Sequence, residues 1–318
     1  MHRIFDFIKK HKKAITNIMT ILVLVLMAYY LYKNRGVFVS LENLELQYIV
    51  YIFLLQIVSI FLIALTNKKV ISLLDHEIPL KEAFLLQYAN SFLNKVVSEG
   101  GALFRGIFLK EIYKLPYTKY ISTIAGLYVV NFITSSLIGI ISLVYIYLLY
   151  GRISYLVLAF FVLVIIGMSV ILFVNPHFKN KKGTRIINWL NSILSGWSTI
   201  KEEKKNLGIF VILSFSGLLL ISLQTILVYR GLGYRLGIFE AVYMNSLGMI
   251  TTFVNITPDS IGIKEAVYVF TSDVVGLNSD IILLGSLIIR AIGLINTFLI
   301  GGIAYLKLSP RLKGVKRD

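Results

Sequence analysis

The sequence contains no cysteine and little charge. Without cysteine the chain can form neither disulfides nor thiolate metal sites, and it has no thiol nucleophile. Charged residues make up 15% of the 318 residues, whereas ordinary soluble domains contain about 25%. Hydrophobic residues make up 57%. This balance excludes a soluble globular enzyme, a disordered chain and a fibrous repeat, and it predicts an all-α polytopic membrane protein.

Several catalytic and nucleotide-binding motifs are also missing. No G-x-x-x-x-G-K-[ST] loop is present to bind ATP, and no G-x-S-x-G motif supplies a serine nucleophile. The four histidines fall in predicted loops or tails, without an H-E-x-x-H motif. We therefore expect no catalytic residue, no metal site and no cofactor. The basic tails are explained by attraction to anionic lipid, and we expect no nucleic-acid partner.

Long apolar runs predict where the chain crosses the membrane. A bilayer core about 30 Å thick requires roughly 20 apolar residues of helix. The first qualifying run is interpreted as a retained anchor, because it is too long for a cleaved signal peptide and is followed by Lys33 and Arg35. The six predicted full spans are 14–32, 47–65, 120–149, 153–174, 208–228 and 279–306.

Basic residues predict the orientation of these spans. The formal net charge is +16, and the loops fall into two alternating sets. One set (1–13, 66–82, 110–119, 175–206 and 307–318) carries 23 Lys and Arg residues, and the other carries five. Since cytoplasmic loops are enriched in Lys and Arg, we expect both termini in the cytoplasm and the protein in the cytoplasmic membrane.

Residues 185–200 contain both tryptophans and repeat apolar side chains at helical spacing. The segment is interpreted either as an interfacial helix in the cytoplasmic headgroup layer or as a loop helix packed on the spans. The pattern alone favours neither interpretation.

Two further apolar stretches, 83–109 and 240–275, are interrupted by polar residues and by Gly or Pro. Each half is shorter than a full crossing, and non-helical backbone at membrane depth requires protein or water around it. We predict that both stretches are re-entrant helical hairpins. The alternative is that both halves of the second stretch cross the membrane, which gives eight spans.

The order of spans and hairpins occurs twice. Residues 47–149 and 208–306 each contain a span, a hairpin and a span, and the two units are predicted to run through the membrane in opposite directions. This is the layout of inverted-repeat transporters. Asn90 and Asn245, each followed by serine, lie at similar places in the two hairpins. The whole chain, 1–318, is predicted to form one transmembrane domain.

Ionisable residues inside a membrane are costly and are therefore candidates for function. They concentrate in the hairpins and the last span, and include Glu99, Arg105, Glu265 and Arg290. Arg290 requires a partner, for which Glu265 is the first candidate. Two interpretations stay open: a buried structural ion pair, or a lipid head-group site in which arginine binds phosphate.

These residues resemble the signatures of the lysylphosphatidylglycerol synthase transmembrane region family, also called the flippase-like family. Its P-G-G-x-G-x-x-E motif keeps its Pro, Gly and Glu as Pro258, Gly262 and Glu265. Asp259 and a serine stand in place of the two adjacent glycines, and Arg290 matches an arginine in the family's last span.

The family's other signature, P-x-x-x-G-E-x-x-R, is matched in part. Gly101 and Arg105 keep its Gly and Arg. Val97 and Ala102 replace its Pro and Glu, and Glu99 lies nearby.

The resemblance implies a membrane module that moves or handles lipids with polar or anionic head groups. The candidate head-group contacts are Glu99, Gly101, Arg105, Pro258, Asp259, Gly262, Glu265 and Arg290.

Three functions follow from these observations. The first is a flippase-like protein that translocates a phospho- or glycolipid. The alternative is a non-catalytic accessory subunit that holds a membrane-bound synthase or glycosyltransferase, and the second alternative is an intramembrane lipid transferase. Some members of the family carry a soluble aminoacyl-transferase domain. This chain ends twelve residues after its last predicted span, so we expect neither that domain nor enzyme activity.

Overall fold

The computed structural model describes residues 35–97, 100–174, 204–249 and 260–315, together with a few single positions outside these ranges. A 3-10 helix, Arg35–Asn43, precedes the first long helix, and a π-helical turn, Thr297–Gly301, joins the last two. The α-helices are α1 (Leu46–Ser72), α2 (Leu80–Val96), α3 (Gly100–Tyr113), α4 (Tyr117–Tyr150), α5 (Tyr155–Val174), α6 (Lys204–Gly231), α7 (Ile238–Gly248), α8 (Ile263–Val269), α9 (Ser272–Val275), α10 (Ser279–Asn296) and α11 (Gly302–Val315).

The predicted spans are present wherever the structure describes them. Helix α5 lies within the predicted span 153–174, and the predicted span 14–32 falls almost wholly outside the described residues. The protein is an all-helical, multi-pass membrane protein, which confirms the predicted fold class. Within the described residues, the helices long and apolar enough to cross a membrane are Leu46–Ser72, Thr118–Tyr150, Asn206–Gly231 and Ser279–Leu312.

The two interrupted stretches form pairs of short helices. Helices α2 and α3 have 17 and 14 residues and pack on each other. At about 1.5 Å of rise per residue, neither spans a core about 30 Å thick. Helix α7 has 11 residues and α8 has seven, and they also pack together. These lengths favour hairpins over extra spans. Residues 250–259, which connect α7 to the second arm, lie outside the described residues.

Only three positions of the predicted interfacial helix, 185–200, are described. Trp197 is 6% exposed and Ile200 is fully buried. Both belong to the same apolar cluster as Phe108 and Leu115. Their burial favours the loop helix that packs on the spans over the helix that lies in the headgroup layer.

Among the described residues, the two large apolar clusters lie at opposite ends of the long helices, and a small third cluster surrounds Ala125 and Val129. On α1, Ile52 belongs to one cluster and Ala64 to the other. On α6, Val228 belongs to the first cluster and Phe210 to the second. The middle of both helices therefore lies between the clusters, where polar side chains can gather without interrupting either core.

The two predicted units interlock. Helix α1 packs on α6, and the first arm of each hairpin packs on the last span of the other unit. Thus α2 contacts the π-helical turn and α11, while α7 contacts α4. Neither unit is complete without the other, since each supplies the surface that buries the other's hairpin.

Two glycines mark where the hairpin arms cross these long helices. A Cβ built on Gly139 of α4 would lie 3.0 Å from the Cβ of Ser246, and one on Gly301 would lie 2.8 Å from the carbonyl oxygen of Tyr88. Gly301 follows Gly139 by 162 positions, and Ser246 follows Tyr88 by 158. The two crossings therefore use equivalent positions. The inverted repeat stays a prediction, which these matched contacts support.

Candidate functional site

Glu265 and Arg290 form the ion pair expected from the sequence. Glu265 is 3% exposed, and its Oε1 lies 2.8 Å from Arg290 Nε and 2.7 Å from Arg290 Nη2. Its Oε2 accepts a hydrogen bond from the Gly262 backbone N–H at 2.7 Å. Gly262 has a φ of +81°, a left-handed conformation that glycine adopts without strain. The carboxylate therefore stabilises the turn into α8 and also joins α8 to α10.

Arg105 lies in a second network that joins α3 to its neighbours. Its Nη1 donates hydrogen bonds to Asn67 Oδ1 and to the Tyr120 hydroxyl, both at 3.1 Å. Asn67 in turn donates from Nδ2 to Gln87 Oε1 at 3.0 Å. Arg105 is thus held by side chains of α1 and α4, and its contact with a lipid phosphate stays a prediction. The contacts of Arg105 and of Glu265 belong to separate networks.

Gly101 lies where the two arms of the first hairpin meet. Its backbone N–H donates to Asn94 Oδ1 at 2.9 Å, and a Cβ built on it would overlap the carbonyl oxygen of Asn90. This close approach explains the glycine by packing, and its predicted contact with a head group stays a prediction. The other predicted site residues, Glu99, Pro258 and Asp259, lie outside the described residues.

The second unit repeats the amide contact of the first. Asn245 of α7 donates from Nδ2 to Thr225 Oγ1 at 3.0 Å. Thr225 follows Asn67 by 158 positions, and Asn245 follows Gln87 by the same 158. In both units, therefore, equivalent positions join the first span to the first hairpin arm. The position equivalent to Asn245 is Gln87, three residues before the Asn90 that the sequence pattern suggests.

The second hairpin arm contributes to this contact in both units. Tyr268 donates its hydroxyl hydrogen to Asn245 Oδ1 at 2.7 Å. Arg105 donates to Asn67 Oδ1 in the first unit. The two donors bond different members of the contact, since Arg105 donates to the residue of the span and Tyr268 donates to the residue of the first hairpin arm.

Two polar cavities lie beside these networks. The first, called cavity I, has a volume of about 370 Å³ and lies between α1, α4, α6, α7 and α8. Lys264 lines it, with Nζ 5.4 Å from the centroid of the Tyr268 ring. Asn131 of α4 and Ser214 of α6 both line the cavity, and Ser214 donates a hydrogen bond to Asn131. The polar side chains that line cavity I include Ser59, Thr66, Asn131, Ser135, Ser214 and Asn245.

The second, called cavity II, has a volume of about 380 Å³ and lies between α1, α2, α6, α10 and the π-helical turn. Its lining is rich in amides and includes Lys95. The amides that line cavity II are Gln56, Gln87, Asn90, Asn94, Gln224 and Asn296.

A shared wall separates the two cavities. Ser59 of α1 and Ile221 of α6 line both of them. Gln224 Nε2 donates a hydrogen bond to Ser59 Oγ at 2.9 Å across the contact between these helices. The wall is therefore one side chain thick at Ser59, in the middle of α1.

The lining of cavity II repeats that of cavity I. The positions of Gln56, Gln87 and Thr66 each have an equivalent 158 residues later, namely Ser214, Asn245 and Gln224. In each of the three pairs, one member lines cavity I and the other lines cavity II. By this spacing the two cavities occupy matching regions of the two predicted units, which supports the predicted inverted repeat.

An apolar groove of about 480 Å³ lies on the other side of α8 from cavity I. Ile263, Ala266 and Val267 line the groove, whereas Lys264 and Tyr268 line the cavity. A single short helix therefore separates a polar compartment from an apolar one.

Sequence reasoning did not identify the amides and hydroxyls that line the cavities. It searched the membrane segments for ionisable groups, whereas most of the lining is uncharged. The available signal was the spacing of polar residues within apolar helices. Gln56, Ser59 and Thr66 recur along one side of α1, at intervals close to whole helical turns.

Comparison with known proteins gives one finding. No curated protein and no solved structure matches the chain. A family model described as "Lysylphosphatidylglycerol synthase TM region" matches residues 15–301 of the 318. The match covers the first unit, the second unit as far as residue 301, the described lining residues of both cavities and the Glu265–Arg290 pair. The chain therefore belongs to the lysylphosphatidylglycerol synthase transmembrane region family.

Proposed function

We propose that the protein moves a polar-headed lipid between the two leaflets of the cytoplasmic membrane, without catalysing a reaction on it. The observation that carries the proposal is the pair of equivalent polar cavities halfway along α1 and α6. Polar groups at this depth are costly unless they are hydrogen-bonded or hydrated. A row of amides and hydroxyls between two apolar cores is therefore a suitable environment for a lipid head group.

The cavities are displaced toward opposite ends of the bundle. On α1, cavity I reaches Thr66 and the apolar core that contains Ala64, whereas cavity II reaches Gln56, near the core that contains Ile52. With the orientation predicted from the Lys and Arg residues, cavity I faces the cytoplasm and cavity II the outside. In the proposal, a head group enters one cavity and leaves through the other.

The transfer between cavities takes place at the shared wall. Breaking the 2.9 Å hydrogen bond between Gln224 and Ser59 would join the two compartments. The same two side chains can then donate to and accept from the head group as it passes, so the bond is exchanged rather than lost. Exchange of this kind keeps binding weak enough for release.

The acyl chains need a separate path beside the head group. The groove lined by Ile263, Ala266 and Val267 is apolar and lies one helix away from cavity I. Chains in this groove stay in an environment like the bilayer core while the head group occupies the cavity. In the proposal, the lipid therefore has its head group on one side of α8 and its acyl chains on the other.

The test is reconstitution of the purified protein into vesicles with a trace of fluorescent phosphatidylglycerol. An impermeant reductant bleaches only the probe in the outer leaflet. We expect the protein to speed the loss of the inner-leaflet probe, either spontaneously or under an imposed pH gradient. Equal rates in protein-containing and protein-free vesicles, with and without the gradient, would contradict the proposal.

Replacing Ser59 with leucine should slow this movement by about ten-fold, the effect of about 1.4 kcal/mol on a barrier. Leucine removes the hydrogen bond to Gln224 and fills the wall between the cavities. The matched control is Ser169→Leu, a partly buried serine of α5 that lines neither cavity. Transport that survives Ser59→Leu and fails with Ser169→Leu, at equal amounts of folded protein, would place the path elsewhere.

A further inference from the structure

We propose that the two cavities select lipids with an anionic, hydroxyl-bearing head group and reject lipids with a cationic one. This inference rests on the proposed function and specifies its substrate class. It is carried by the charge of the cavity linings and by a buried acceptor in cavity II.

Each cavity has a lysine among the lining residues that the structure describes. Lys264 lines cavity I and Lys95 lines cavity II. Among the lining residues that the structure describes, neither cavity contains a carboxylate. In a compartment shielded from bulk water, an ammonium group attracts a phosphate and repels an amine more strongly than it does at a surface.

The nearest buried carboxylate does not change this balance. Glu265 follows Lys264 in α8, but both of its oxygens are engaged by protein groups. Oε1 binds the guanidinium of Arg290, and Oε2 accepts from the Gly262 N–H. Arg290 neutralises the charge of Glu265, so a cationic head group in cavity I would meet the ammonium of Lys264 and, among the described lining residues, no carboxylate.

Cavity II adds evidence for hydroxyl groups on the ligand. Asn90 lines the cavity and is 6% exposed, and its Oδ1 is buried without a hydrogen-bond partner in the protein. Gln56 Oε1, from another helix that lines the same cavity, is also buried without a hydrogen-bond partner in the protein. A buried acceptor without a donor is destabilising, so a ligand that donates to it is bound more tightly. Hydroxyl groups of a glycerol or sugar head group would supply the donors.

A phosphate group and hydroxyl groups together define the class of lipid head group that the cavities favour. The ammonium of Lys264 can bind the phosphate in cavity I, and the hydroxyl groups can donate to Asn90 and Gln56 in cavity II. Addition of a lysyl group brings two ammonium groups, so it changes the net charge of such a head group from negative to positive and places cations beside Lys264. The cavities therefore favour the unmodified anionic lipid over its aminoacylated form.

The experiment compares three fluorescent lipids in the same vesicles: phosphatidylglycerol, lysyl-phosphatidylglycerol and phosphatidic acid. We expect phosphatidylglycerol to move about ten-fold faster than the lysyl ester, because the ammonium of Lys264 attracts the phosphate and repels the ammonium groups of the lysyl ester. Lys264→Glu should abolish or invert this preference and Lys264→Gln should weaken it, whereas Lys110→Glu, an exposed lysine of α3, should leave it unchanged.

Asn90→Leu tests the hydroxyl part of the inference. It should slow phosphatidylglycerol more than phosphatidic acid, whose phosphate carries no glycerol hydroxyls. Equal or faster movement of the lysyl ester in the unmodified protein would overturn the inference and leave the proposed function standing. Failure to move any of the three lipids would overturn both. A preference that Lys264→Gln and Lys264→Glu leave intact, with each variant folded, would show that the cavity charge does not set it.

Discussion

Replacing Arg290 with alanine is expected to lower the free energy of unfolding by about 3–5 kcal/mol. The substitution leaves the carboxylate of Glu265, which is 3% exposed, without its counter-charge. The same carboxylate accepts from the Gly262 N–H, so its displacement would also release the turn that begins α8. Thermal unfolding of the detergent-solubilised protein measures the loss.

The ion pair of Glu82 and Arg311 provides a matched control. It has the same N–O distance of 2.7 Å as the buried pair, but the Arg311 side chain is 44% exposed. Exposed ion pairs contribute about 0–1 kcal/mol, so Arg311→Ala should change the unfolding temperature little. The double variant Glu265→Ala/Arg290→Ala should recover part of the loss, because no charge is left unpaired. Equal effects of Arg290→Ala and Arg311→Ala would contradict this description of the site.

Replacing Gly101 with alanine is expected to prevent the first hairpin from closing. The added Cβ would overlap the backbone carbonyl oxygen of Asn90, which cannot rotate away as a side chain can. An added group in a packed site lowers the free energy of unfolding by about 1–3 kcal/mol even when neighbouring side chains can move aside. A larger loss is expected here, because the neighbouring atom belongs to the backbone. The yield of monodisperse protein after detergent extraction measures the effect.

Gly167→Ala is the control for this prediction. Gly167 lies within α5, and a Cβ built on it meets no atom within 4 Å. Because alanine is the better helix former, the variant should fold at least as well as the unmodified protein. Normal folding of Gly101→Ala would mean that α2 and α3 do not approach each other as described.

The fold was predictable from the sequence to the extent that it follows from hydropathy. Long apolar runs locate α1, α4, α6 and the helix from Ser279, because the bilayer imposes length and composition on any crossing. The interruptions around Gly101 and Gly262 indicated the hairpins, because each half of an interrupted stretch is too short to cross the bilayer. The interlocking of the two units was not predictable. It depends on which hairpin arm packs against Gly139 and Gly301, and the hydropathy of a helix does not specify its packing partner.

The candidate site was predictable only in its charged part. The pairing of Arg290 with Glu265 followed from the cost of an unpaired charge in an apolar span. The cavities did not follow, because a serine or glutamine in a span can bond to its own helix as well as face a cavity. Ser222 bonds to the carbonyl of Leu218 in its own helix, whereas Ser59 also accepts from Gln224 across the wall. The sequence alone does not distinguish the two cases.

The central claim is that polar cavities in the middle of the bundle open toward opposite faces of the membrane. Because the chain contains no cysteine, a single introduced thiol can be labelled without background. The measurement is labelling of Ser91→Cys in cavity II and Ser214→Cys in cavity I with an impermeant maleimide, in intact and in permeabilised cells. Ser91 lines cavity II and accepts a hydrogen bond from Gln87. Ser214 lines cavity I and donates a hydrogen bond to Asn131. We predict that Ser91→Cys is labelled in intact cells and Ser214→Cys only after permeabilisation, whereas labelling of both thiols from the same face, or of neither from any face, would contradict the account.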